Sequence, residues 1–156
     1  MTIAARLKHH LEAQGLPFDM IAHPYAATAS GCAEAAHVPG DHLAKSVLIH
    51  MEEGPILAVV PSNHHVDLSQ LQAMLDRRLG LAAETEIQML FDDCNLGAAP
   101  PVGAAYDVPT IVDNSLSGLD KVWFEAGDHQ TLVEMQGRHF DQLMQGAKHG
   151  SFCTLH

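Results

Sequence analysis

Lys45 stands in "GDHLAKSVLIH", where the chain passes from polar to apolar character at the start of a predicted strand. An ammonium entering an apolar strand is costly to bury without a partner. Two readings fit it: a lysine at a strand edge, or a cation aimed at an anionic or carbonyl group of a ligand. Roughly fifty residues further on, "NLGAAPPVGAAYDVPTIVD" carries almost no side-chain chemistry. Gly97, Ala98, Ala99, Pro100, Pro101 and Gly103 leave its backbone bare. Glycine allows geometries and close approaches that a Cβ would block, and proline stiffens the chain while removing an N–H. The N–H groups that remain can be fixed in place and aimed at a ligand. Donors of that kind stabilise the oxyanion that develops when an ester carbonyl is attacked. The same composition also suits a tight connection between a helix and a strand.

Other candidate groups are scattered. Asp128 and His129, in "FEAGDHQTLVEM", read either as an acid–base pair or as a polar turn between strands. Twelve histidines are present. His9-His10 and His64-His65 are adjacent, so the members of each pair point apart. No HxxxH, HExxH or HxH spacing occurs, so neither a metal site nor another cofactor is expected. Cys32, Cys94 and Cys153 lie far apart with no CxxC spacing and read as reduced, mostly buried thiols. A nucleophilic cysteine is the alternative, and it needs a partner histidine that sequence cannot place. No GxSxG, P-loop or GxGxxG stretch is present.

The elements that must position these groups follow from hydrophobic spacing. Ile3, Leu7 and Leu11 predict a helix over residues 2–14, with Gly15 as its stop. "FDMIAH" reads as a short strand. Ser30 is placed to cap an alanine-rich helix running to Ala36, which Pro39 and Gly40 end. "LAKSVLIHMEEGPILAVVPS" reads as a hairpin, and its continuous run "ILAVV" suits a strand buried on both faces. In "VDLSQLQAMLDRRLG", Asp67 caps a helix with Gln70 at the reciprocal position. Leu68, Leu71, Leu75 and Leu79 line one face, and Gly80 closes it. "TEIQMLF" repeats the pattern with Thr85 and Gln88. "PTIVD", "KVWFEAG" and "QTLVEM" are strand candidates, and "GRHFDQLMQG" is a closing helix.

The order of elements predicts a mixed α/β fold in a single domain over residues 1–156. With 156 residues and 47% hydrophobic content, the chain can bury a sizeable core. No apolar run approaches the roughly 18–20 residues of a membrane span. The N-terminal pattern is amphipathic, not that of a signal peptide, so a cytoplasmic location and no membrane partner are expected. A formal net charge of −11 argues against gripping DNA or an RNA backbone non-specifically. It allows brief contact with one RNA end, and the histidines soften the charge at mildly acidic pH.

"LAKSVLIH" followed by "GAAPPVG" resembles the YbaK / prolyl-tRNA-synthetase-associated editing-domain family, whose pattern is a lysine opening a strand and then a GxxxP loop. Lys45 fits the lysine, and Gly97-Ala98-Ala99-Pro100-Pro101 fits GxxxP. "EAAHVPGDHLAKSV", "AVVPSNHHVDL", "VDNSL" and "FEAGDH" extend the likeness over nearly the whole chain. The resemblance implies a compact domain with a mixed, strongly curved, barrel-like sheet and helices around it. It implies a free-standing deacylase that hydrolyses the ester of mischarged tRNA, often tRNA for proline, by means of a positioned water. Lys45 and the backbone of Gly97, Ala98 and Ala99 would be catalytic, while Pro100, Pro101, Gly103, His129 and Ser62 would bind substrate. The implied partners are the acceptor end of aminoacyl-tRNA and a synthetase or other tRNA-binding protein. Two further readings stay open: a non-enzymatic small-molecule or regulatory module, and a hydrolase of small acyl esters.

Overall fold

Leu7 and Leu11, one helical turn apart, are fully buried on α1 (Ala5–Ala13). Gly15, at φ +65°, supplies the left-handed residue that ends it. This is the first element of a computed structural model that describes residues 2–155. β1 (Asp19–Ala22) follows, then α2 (Ala29–Ala36). The cap of α2 is Thr28, not Ser30: the Thr28 hydroxyl accepts from the Gly31 N–H at 3.0 Å. Ser30 lies inside the first turn, and its hydroxyl donates to the Ser62 carbonyl at 2.9 Å.

β2 (Leu43–Met51) and β3 (Gly54–Pro61) form the expected hairpin. On β3, Leu57 and Val59 enter one core while Ile56, Ala58 and Val60 enter a second, so the strand is buried on both faces as its apolar run predicts. β4 (His64–Val66) precedes α3 (Leu68–Leu75), which Asp67 caps by accepting from the Gln70 N–H at 3.0 Å. The helix stops short of the expected Leu79. Asp76 takes a left-handed conformation at φ 52°, and Leu79 and Gly80 belong to β5 (Leu79–Leu81), which pairs with the end of β2. α4 (Glu84–Leu90) starts before the expected Thr85 cap, with no side-chain cap at Ala83. Glu84 and Glu86 complement the positive end of the helix instead. The remaining elements are β6 (Thr110–Asp113), β7 (Lys121–Glu125), β8 (Thr131–Gln136), α5 (Gly137–Leu143), β9 (Lys148–Gly150) and β10 (Cys153–Leu155).

The main sheet is mixed, in the order β1-β8-β7-β2-β3-β6-β9 with β5 also on β2; β4 and β10 form a separate pair. The sheet ends at β1 and β9 and is not a closed barrel. Its decisive feature is a fork at β2. One edge of β2 pairs with β3 along its length. The other edge pairs in parallel with β7 at Leu43 and Ala44, and antiparallel with β5 only from Ile49 to Met51. Residues 45–48 therefore face an opening between two diverging strands, and the segment between α4 and β6 reaches this opening. Among the described residues, no helix is long and apolar enough to cross a membrane.

Candidate active site

The glycine- and proline-rich segment begins with a turn. The Ala98 N–H donates to the Asn95 carbonyl at 3.0 Å, and Gly97, third in the turn, sits at φ +82°. That is the sign a type II turn requires at this position, where glycine is favoured. Four tethers hold the turn. The Asn95 N–H donates to the Gly127 carbonyl at 2.8 Å. The Asn95 side-chain amide donates to the Asp128 carbonyl at 3.5 Å. His129 Nε2 meets the Leu96 carbonyl at 2.6 Å. The Ser46 hydroxyl donates to the Ala99 carbonyl at 2.7 Å, fixing the segment in the fork of β2. Upstream, Asp93 accepts from the Tyr106 hydroxyl at 2.7 Å and from the Arg6 N–H at 3.0 Å.

These bonds decide which N–H groups are available. Pro100 and Pro101, both buried, have none. The turn consumes that of Ala98, which is fully buried. The expectation that all three of Gly97, Ala98 and Ala99 offer donors is corrected there. Among the described residues, the N–H groups of Gly97 and Ala99 have no acceptor. Both residues line a cavity of about 180 Å³ whose walls are otherwise mainly Leu48, Leu57, Ile87 and Phe91, with Ser46 and Glu84 as polar members. Gly103 does not line it. It opens a short 3-10 turn, and a Cβ there would collide with the Thr110 hydroxyl and the Val108 carbonyl, so its glycine is required by packing.

Lys45 lies on the other face of β2. It sits opposite Val60 of the second core, whereas Ser46 sits opposite Val59 of the first. Its half-buried ammonium donates to the Ser62 carbonyl at 3.3 Å, and burial lowers its pKa. Ser62 is fully buried; its hydroxyl donates to the Gly40 carbonyl at 2.7 Å, and its carbonyl also accepts from Ser30. The structure thus sets Lys45 and Ser62 together, and the loop with Ser46 and His129, at adjacent positions along one strand.

His129 is 3% exposed, with φ at +62°. Its ring backs the turn: a Cβ on Gly97 would lie 3.4 Å from its Cε1. Tyr25 packs edge-on against it, the centroids 5.4 Å apart. Asp128 is not its acid partner. That carboxylate accepts from Thr2, Gln130 and Thr131, which outweigh the upward push of burial and hold its pKa low. The polar-turn reading of Asp128 is the observed one. The carboxylate facing His129 is Glu125, whose Oε1 is 3.3 Å from Nδ1 without hydrogen-bond alignment. Burial raises the pKa of Glu125, while the Cys32 thiol and His129 oppose the rise. Burial and Glu125 push the Cys32 thiol up to about 12, and burial pushes Cys94 and Cys153 to about 12 as well. Thiols held so far toward the protonated form are weak nucleophiles. Ser46 and Glu125 are site neighbours that sequence reasoning missed, and Cys32, read there only as a thiol, proves to lie against Glu125.

Comparison with known proteins bears on the family and the fold. No curated protein matches the sequence. A solved structure described as "a putative trans-editing enzyme for prolyl tRNA synthetase" is 25% identical, superposes with a TM-score of 0.83, and covers 97% of this chain and 96% of its own. A hypothetical protein of known structure, 18% identical, shares the fold at a TM-score of 0.82 over 96% of this chain and 99% of its own. The profile of the aminoacyl-tRNA editing domain matches residues 23–143 of the 156, and the chain belongs to that family.

Proposed function

We propose that the protein hydrolyses the ester bond of mischarged aminoacyl-tRNA, acting in trans as a proofreader in the cytoplasm, on tRNA for proline or a related tRNA. The observation that carries this reading is the pair of unpartnered N–H donors, on Gly97 and Ala99, at the wall of a small apolar cavity. An aminoacyl ester is already activated, so positioning and oxyanion stabilisation suffice without a side-chain nucleophile. The aminoacyl group enters the cavity with its carbonyl oxygen toward Gly97 and Ala99. Water attacks the carbonyl carbon, the ester C–O bond breaks, and the leaving oxygen returns to the terminal ribose as a hydroxyl. Pro100, Pro101 and His129 keep the donors from relaxing away. Lys45, one residue from Ser46 but on the opposite face, anchors the phosphate or ribose of the acceptor end at the mouth of the strand.

A substrate link to proline is supported by the description of the 25%-identical relative. The acidic chain makes few phosphate contacts, so a synthetase or another tRNA-binding partner supplies the remaining affinity. A panel of mischarged tRNAs, assayed by single-turnover deacylation beside free amino-acid esters, tests the reading. Turnover of one or more mischarged tRNAs supports it. Activity on small esters alone reassigns the site to acyl-ester hydrolysis, and no turnover with tight ligand binding reassigns it to a regulatory module.

A further inference from the structure

Beneath the turn of residues 95–98, side chains from three separate stretches converge: Cys32 on α2, Glu125 at the end of β7, and His129 in the connection to β8. One donor atom from each lies within 4.8 Å of the others. Glu125 Oε1 is 3.4 Å from Cys32 Sγ and 3.3 Å from His129 Nδ1. The three residues are 0%, 5% and 3% exposed for Cys32, Glu125 and His129.

The far side of the imidazole fixes its state. The Leu96 carbonyl can only accept, so Nε2 carries the hydrogen. In the neutral ring, Nδ1 then presents a lone pair. It is buried, has no hydrogen-bond partner among the described residues, and lies 3.3 Å from a carboxylate oxygen. A lone pair and a carboxylate at that distance repel unless a positive charge lies between them.

We propose that Cys32, Glu125 and His129 form a binding site for a divalent cation of the zinc class. Sulfur, nitrogen and oxygen are the donors zinc takes, with arms of about 2.0–2.3 Å; tetrahedral angles then separate neighbouring donors by about 3.3–3.7 Å. Both distances to Glu125 fall in that range. Metal-ligating histidines commonly give their other N–H to a backbone carbonyl, which is the bond His129 makes with Leu96. On binding, a sulfur–metal bond forms, the thiol proton leaves for solvent, and Glu125 and the Nδ1 lone pair fill two more positions. Thiolate and carboxylate together neutralise the ion, so no net charge is buried. The Ala26 carbonyl, 3.5 Å from Cys32 Sγ, is at hand for the fourth position. Such an ion ties α2 to the β7–β8 connection and, through His129 and Leu96, braces the Gly97 turn. It is a structural site, with no part in bond breaking.

Cobalt(II), added to chelator-treated, reduced full-length protein, is the probe. The expected result is one equivalent bound, with a sulfur-to-cobalt charge-transfer band in the near ultraviolet and intense tetrahedral visible bands, all displaced by zinc. Cys32→Ser should remove the charge-transfer band. Glu125→Gln should weaken binding by more than the roughly 10- to 100-fold that loss of an outer partner causes. Cys153→Ser and His64→Ala should leave both unchanged. Zinc should raise the melting midpoint of wild type and not that of Cys32→Ser. A folded wild-type protein that shows no thiolate band overturns the proposal and leaves a proton shared by Glu125 and His129 as the bridging charge. A band that survives Cys32→Ser, or disappears in Cys153→Ser, also overturns it. These readouts are independent of turnover, so failure here and failure of the deacylase reading are separately visible.

Discussion

Gly97 answers to two demands at once. Its φ of +82° is one that a residue with a Cβ adopts at a cost of about 1–2 kcal/mol, and its backbone must stay open to the cavity. The Cβ of alanine would meet His129 at ordinary contact distance, so backbone conformation is the larger penalty there. Valine adds branching on top of it. Gly97→Val should therefore remain folded by circular dichroism and thermal melting while its deacylation rate falls about a hundredfold or more, the scale of losing an oxyanion donor. Near-normal turnover would make the loop a connector only. At Lys45, the ammonium donates to the Ser62 carbonyl, and the residue lies on the face of the strand opposite the cavity. Lys45→Ala is thus expected to weaken tRNA binding with a smaller change in single-turnover rate at saturation. Lys45→Arg keeps the charge without the compact head and should restore little. Equal affinity and rate in a folded Lys45→Ala protein would remove this residue from the site. The residue types themselves were legible: a lone cation at a strand mouth and a backbone stripped of side chains. Which donors are free was not, because that depends on the Asn95 carbonyl claiming one of them. The facing of His129 to Glu125 instead of Asp128 was equally hidden, since adjacent side chains diverge in a turn.

At the scale of elements, the fork in β2 makes the site. Between its pairing with β7 at Leu43 and Ala44 and with β5 from Ile49, β2 changes partner on one edge, and Ser46, which bonds Ala99, belongs to the stretch between. The hairpin, the doubly buried β3 and the Asp67 cap could all be read from local pattern. The early stop of α3 could not: tertiary pairing with β2 draws Leu79 and Gly80 out of a helical spacing that reads well on its own. The short β4–β10 pair was missed for a similar reason, since three-residue strands carry too little periodicity. The cap of α2 is open to direct test. Thr28→Ala should cost about 1 kcal/mol of stability in denaturant titration, and a cost within error would reassign the cap. Asp113 is a second joint. Buried at the end of β6, it accepts from the Ser115 N–H, the Ser115 hydroxyl and the Phe152 N–H, which binds the C-terminal segment to the sheet. Burial raises its pKa, but these bonds outweigh that and hold it below the ordinary carboxylate value. Its stabilising contribution is therefore complete above the unfolded-state pKa of about 3.9 and is lost as pH falls below that toward its folded value. Melting midpoints should drop across that window in wild type and drop less in Asp113→Ala, which also loses about 1–3 kcal/mol at neutral pH by leaving the Phe152 N–H without its acceptor.

For the whole molecule, net charge decides how the proposed deacylase must meet RNA. With 8 Lys and Arg against 19 Asp and Glu, the surface repels a phosphate backbone at long range. The face around the turn offers apolar contact instead: Tyr25 is 63% exposed and Leu96 is 40% exposed beside it. Contact limited to the single-stranded acceptor end, with Lys45 as its main cation, neutralises only one or two phosphates. The binding constant should then fall with salt at a log–log slope of roughly −0.7 to −1.4, and Lys45→Ala should bring it closer to zero. Fluorescence anisotropy of a labelled acceptor-stem RNA, repeated over a range of potassium chloride, measures both slopes. A wild-type slope several times steeper would mean a broad electrostatic interface that this charge distribution cannot supply alone. A slope unaltered by Lys45→Ala would move the anchoring cation elsewhere. If the slope is shallow and affinity correspondingly weak, adding a synthetase that holds the same tRNA should increase deacylation without steepening the slope, because the added affinity comes from contacts this chain does not make.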